Sequence, residues 1–222
     1  MSRASRSYLL ALATSVAACG GGGSPAAAPA TGPIPASRPL ATLASTGAIV
    51  APAFTLGGMP NEAWRSRLGD GRVVLRELDS LIAQNLRARG LDQGWVFAPE
   101  LMASYRRNRG YATDPYALAE QPLRAQTFVA GVRLPEPLAS QLRTMIALQE
   151  GARLVLLPVD LSFWPVTGAP NDATARLKIA LVDPRFSQAT WVGEVRSDTA
   201  SADPRVLTKA LAARVVDLIV SP

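Results

Sequence analysis

The chain has 222 residues, 48% of them apolar and 18% charged. That is a globular balance, and the roughly 180 residues left after an amino-terminal leader suit one ordinary domain. Histidine is absent and cysteine occurs once, at Cys19, so Ser-His-Asp and Cys-His catalysis and histidine- or cysteine-based metal sites are excluded on inventory. Arg3 and Arg6 supply two of the six net positive charges, so the chain without its leader carries +4, a mild balance that favours anionic neighbours.

Arg3 and Arg6 precede an apolar run from Tyr8 to Ala18, the layout of a secretory signal. The run is shorter than the roughly 20 apolar residues that a membrane-crossing helix needs. Val16-Ala17-Ala18-Cys19 resembles the lipobox of bacterial lipoproteins. The resemblance implies that residues 1–18 are a signal peptide and that Cys19 carries lipid and becomes the first residue of the mature chain. Gly20, rather than aspartate, then implies sorting to the outer membrane, on its periplasmic face. Two or more acyl chains hold a protein at a bilayer where one binds marginally, so the membrane itself is one expected partner, and this compartment excludes nucleic acid. An ordinary signal-peptidase site after Ala18 also suits the small side chains, and would leave a free thiol. Residues 19–45 are mostly Gly, Ala, Pro and Ser with little to bury, and read as a flexible lipidated linker to a domain over 46–222.

The first expected element is a buried strand over the apolar run Ala48 to Phe54, with Pro52 marking its end or a sheet edge. A loop containing Met59-Pro60 and Trp64 follows. Leu75, Leu78, Ile82 and Leu86 recur at helical spacing within 74–89, ahead of Gly90. Trp95 to Ala98 reads as a second strand closed by Pro99, and Glu100 to Arg109 as a short helix. Between 111 and 137 prolines punctuate the chain, with one helical turn at Asp114-Pro115 and a short strand over Thr127 to Val132. Leu138, Leu142, Met145 and Ile146 mark another helix, stopped by Gly151, and Leu154 to Val159 is apolar on both faces, as a central strand is. Arg176 to Leu181 alternates, Asp183 to Ser187 turns and Trp191 to Arg196 returns, a hairpin that sets Glu194 opposite Arg176 or Lys178. Asp203-Pro204 caps a last helix bearing Leu207, Leu211 and Val215. The expected class is α/β (α+β): one mixed sheet flanked by helices, in a single domain.

This element order resembles a group of envelope domains that includes the penicillin-binding-protein activator LpoB, the curli secretion lipoprotein CsgG and the amino-terminal domain of TolB. The residues that carry it are Ile49-Val50-Ala51-Pro52-Ala53-Phe54, the Leu75 to Leu86 helix, Gly151 to Leu157 and the hairpin closing on Trp191. It implies a non-enzymatic periplasmic module that contacts another envelope protein or the cell wall. No long alternating hairpins suited to lining a pore occur, unlike CsgG. Auxiliary lipoproteins of lipid-transporting ABC systems share a similar order and stand as an alternative.

No catalytic, cofactor or metal site is expected. The two lysines, Lys178 and Lys209, sit in strand-like and helix-like patterns away from any serine in a turn, and no calcium-type loop of alternating aspartates occurs. Asp160 and Glu194 keep a carboxylate-dependent wall hydrolase as a weaker rival. Two stretches are candidate partner-binding surfaces. Tyr105, Arg106, Arg107, Arg109 and Tyr111 interleave cations with rings, as a grip on an anionic partner does, although cations at a helix carboxyl end also suit its dipole. Phe163 and Trp164 after the strand near Asp160 offer an aromatic anchor, or cover the end of a sheet. Trp95 and Trp191 are expected in the core.

Overall fold

The computed structural model describes residues 38–53, 55–149 and 151–221. The expected signal peptide, Cys19 and the linker as far as residue 37 lie outside the described residues.

Among these residues the chain forms α1 (Leu43–Thr46), β1 (Ile49–Val50), α2 (Glu62–Leu68), α3 (Gly71–Ala88), α4 (Ala98–Arg107) and α5 (Leu138–Ala147), then β2 (Val155–Val166), β3 (Ala169–Asp183), β4 (Gln188–Arg196) and α6 (Pro204–Asp217). Short 3₁₀ turns cover Pro115–Ala117 and Gln121–Arg124. The sheet order is β1-β2-β3-β4, with β1 parallel to β2 and the rest an antiparallel meander. This is the expected class, a mixed sheet flanked by helices.

Helices cover both faces because the strands are apolar on both over their inner halves. Leu177, Ile179 and Leu181 of β3 pack with α1, α2, α3 and α6, whereas Ala180 and Val182 pack with α4 and α5. The long helices start on side-chain caps: Asp70 accepts from the Arg72 N–H of α3 and Asp203 from the Arg205 N–H of α6, each at 2.9 Å. Asp114 likewise caps the turn at Pro115, accepting from Tyr116 N–H.

Several boundaries differ from the expectations. Leu40 and Leu43, assigned to the linker, are buried in the core, and Leu40 N–H donates to Leu218 O at 3.1 Å, because two apolar side chains suffice to dock the segment on α6. The strand expected to 54 is short, and Pro52 follows it at the sheet edge. The strand expected at Trp95–Ala98 reduces to one bridge at Val96, since Glu100 accepts from the Phe97 N–H and starts α4 at once. Thr127–Val132 is no strand; Gly131 and Val132 fasten to the edge of β4 through Ala189 and the Gln188 side-chain amide. The loop around Trp64 contains α2, capped by Asn61.

Candidate binding site

A register shift in β2 decides what the sheet presents. Pro158 pairs with Ile179 and Asp160 with Lys178, so Val159 is an extra residue and the strand changes face there. Before it, Val155, Leu157 and Val159 face α4 and α5; after it, Leu161 and Phe163 face α2 and α3. Phe163 is therefore buried, its ring 5.4 Å from that of Trp64, whose indole N–H donates to Asn171 O at 3.0 Å. It cannot serve as the exposed anchor expected of it. Trp164 points the other way and is 48% exposed, with the Arg176 guanidinium 4.5 Å from its ring centre. Trp95 is in the core, and Trp191 packs at its margin.

Beyond the reach of α5, the outer half of that sheet face is a cleft of about 400 Å³ holding Trp164, Arg176, Lys178, Asp160 and Glu194. Glu194 pairs with Arg196 at 2.8 Å and Arg176 at 3.7 Å, and Asp160 lies 3.7 Å from Arg124. Burial raises the Asp160 pKa against the pull of Arg124 and Lys178. Behind it lies Glu120, 1% exposed, which accepts from the Thr55 hydroxyl and has a second carboxyl oxygen without a partner among the described residues. Burial first, and Asp160 second, push Glu120 up to about 8, so it holds a proton at neutral pH.

The second concavity lies between α3 and α4. Two adjoining clefts, of about 270 and 510 Å³, share Arg76 and Tyr116. Arg72 and Arg76 come from α3 and Arg106 from α4, while Asp79 lines the same groove. Asp79 accepts from Ala53 N–H at 2.8 Å, its other oxygen has no partner among the described residues, and burial raises its pKa to about 7.

The expected cluster on α4 is divided. Arg106 enters the groove; Tyr105 turns to the opposite side of the helix, in a small crevice with Thr113 and Gln149. Arg107 and Arg109 are exposed outside it, and Tyr111, 65% exposed, donates its hydroxyl proton to Asn108. Arg72, Arg76 and Tyr116 are not among the expected site residues: the helix expected over 74–89 begins after Arg72, and only the start of α3 at Gly71 places Arg72 and Arg76 four apart on one helix.

Among the described residues no cluster of three or more acidic or cysteine side chains suits a metal ion, and no helix is long and apolar enough to cross a membrane. The chain is thus an α/β domain whose mixed four-stranded sheet carries an arginine-lined groove on one side and an open cleft at its outer end. No family model matches it, and no curated protein does. Among solved structures it is similar to the PelC dodecamer from Paraburkholderia phytofirmans (13% identity, covering 82% of this chain and 91% of that one, TM-score 0.38). It is also similar to the LpoB C-terminal domain from Salmonella enterica (14% identity, 70% and 84% covered, TM-score 0.35).

Proposed function

We propose that this chain is a lipoprotein anchored to the periplasmic face of the outer membrane through Cys19, acting without catalysis as a binding, regulatory or assembly module for another envelope component. The observation that carries the reading is Val16-Ala17-Ala18-Cys19, the one cysteine of the chain, placed directly after a short apolar run. Three arginines gathered from α3 and α4 support a binding role.

Labelled fatty acid fed to the producing cells should enter the protein and fail to enter Cys19→Ser; equal labelling of both sinks the anchor. Photocrosslinkers placed at Arg76 and Trp164 in intact envelopes should capture a discrete protein or wall fragment.

A wall hydrolase is the second reading, favoured by one observation: Asp160 and Glu194 line the same cleft. Release of fragments from purified cell wall that disappears in Asp160→Asn would put it first.

A further inference from the structure

The groove between α3 and α4 has features that the general binding role does not use. Its floor follows one stripe of α3, where Arg72, Arg76, Ser80, Ala83 and Arg87 recur at three and four residues, and its far wall is Ala98, Met102 and Arg106 at every fourth residue of α4. At ~1.5 Å per residue the α3 stripe runs about 22 Å. The concavity is therefore long rather than round.

Its charge is not spent. Arg87 pairs with Asp92 and Glu100, at 3.6 and 3.2 Å. Arg72, Arg76 and Arg106 make no ion pair within 4.0 Å among the described residues. Arg76 lies 5.9 Å from the centre of the Tyr116 ring, which leaves its fork of N–H donors free for an oxyanion. Asp79 is the one carboxylate lining either cleft among the described residues.

The neutral groups speak for the kind of chain that would lie there. The Gln84 amide and the Tyr116 hydroxyl line the groove and make no side-chain hydrogen bond among the described residues, so both are available to hydroxyl groups. Among the described residues the apolar lining is Ala53 and Leu75 at the Arg72 end, and Ala83, Ala98, Pro99, Met102 and the Phe97 ring under Arg87 at the other, in no helical repeat along the groove. A docked amphipathic peptide helix requires apolar sockets repeated along its length, at i, i+3, i+4 and i+7. Arginine forks, a half-buried tyrosine ring and the free Gln84 amide suit a hydroxyl-rich, negatively charged strand better.

We propose that this groove binds an anionic glycan strand, whose carboxylate or phosphate groups are held by Arg72, Arg76 and Arg106 and whose hydroxyls meet Gln84 and Tyr116. The proposal rests on the envelope reading, because such polymers lie in that compartment.

Asp79 gives the site a second signature. It lines the groove with Arg76 of its own helix, Arg106 of α4 and Tyr116, it accepts from the Ala53 N–H after β1, and Arg76 and Asp114 act with it on the Tyr116 hydroxyl. Burial holds its carboxyl up to about 7, so it is largely neutral at pH 6 and a repelling anion at pH 8. Polyanion affinity therefore falls across that interval.

The test uses the detergent-solubilised full-length chain and titration calorimetry with hexagalacturonate, a phosphorylated dextran, neutral maltohexaose and hexaglutamate. Binding of either anionic glycan, weakened about tenfold in Arg76→Ala and in Arg106→Ala and unchanged in the exposed Arg205→Ala, is the expected result, equivalent to about 1.4 kcal/mol per arginine. Asp79→Asn should tighten binding at pH 8 and leave it unaltered at pH 6. Equal affinity of Arg76→Ala and Arg205→Ala, hexaglutamate binding as tightly as the glycans, maltohexaose binding as tightly, or no gain in Asp79→Asn at pH 8 overturns the proposal. Glycan binding in a chain whose Cys19 never takes up lipid leaves the groove standing and removes the envelope reading. A lipidated chain that binds neither anionic glycan removes the groove alone.

Discussion

The Thr55 hydroxyl donates to the Glu120 carboxyl over 2.9 Å, tying the segment after β1 to the turn at Gln121–Arg124. The bond satisfies one oxygen of a side chain that is otherwise shut away from water, with Asp160 adding repulsion and Arg124 only partly offsetting it.

Because the folded pKa of Glu120 is about 8 against an ordinary 4.5, the folded state binds a proton that the unfolded state releases. The stability this confers is fully present below about pH 4.5 and is lost as pH rises through about 8. Glu120→Gln keeps an acceptor for Thr55 and cannot ionise. Urea unfolding at pH 5 and pH 8 should show the wild type losing on the order of 2 kcal/mol more than the variant over that interval.

Neighbouring aromatics on β2 should behave oppositely. Phe163→Ala removes a fully buried ring stacked on Trp64 and should cost about 3–5 kcal/mol of unfolding free energy, whereas Trp164→Ala at the exposed face should cost under about 1 kcal/mol. Similar losses for both would contradict the change of face at Val159.

Gly47 has φ +66°, and a β-carbon there would lie 2.0 Å from the Gly94 carbonyl oxygen. Relief would require moving backbone, so Gly47→Ala should cost more than about 2 kcal/mol in thermal unfolding, while Gly58→Ala, with open space around it, should stay within about 0.5 kcal/mol.

Arg89 after α3 pairs with Asp217 of α6 at 2.8 Å, and Asp217 is only 8% exposed. Asp217→Ala strands the guanidinium with two weaker carbonyl contacts, at Val220 and Ser221. A loss of about 1–3 kcal/mol is expected in urea. Because the pair is partly shielded from solvent, that loss should persist in 0.5 M salt.

Legibility in the sequence followed the range of the forces involved. The α3 and α6 helices and the hairpin of β3 and β4 announce themselves through periodic apolar residues, adjacent caps and one turn; the expected choice of Arg176 or Lys178 for Glu194 resolves into both, Lys178 directly opposite in register and Arg176 diagonal at 3.7 Å. The true lengths of β2 and β3 were not, because Pro165, Pro170 and polar residues near the hairpin tip hide the alternation. α2 was hidden for a different reason: Trp64 is its fully buried anchor, and what buries it is Phe163, supplied by a distant strand. Arg106 could be noticed as a cation, but its partners Arg72, Arg76 and Tyr116 arrive from other elements, so neither the groove nor the separation of Tyr105 from it was readable.

The sequence by itself determined the inventory: no histidine, one cysteine behind an apolar run, and enough periodic apolar surface for helices on a mixed sheet. Such properties are local or additive, and need no knowledge of what folds against what. The tertiary structure alone decided which side chains are exposed and which charges stand together. One extra residue at Val159 turned Phe163 inward and Trp164 outward, since side chains in a strand alternate and a shift of one exchanges the faces. The packing of α3 beside α4 then set the unpaired Arg76 and Arg106 in one cleft with a carboxyl whose buried setting, not its residue type, brings its titration close to neutrality.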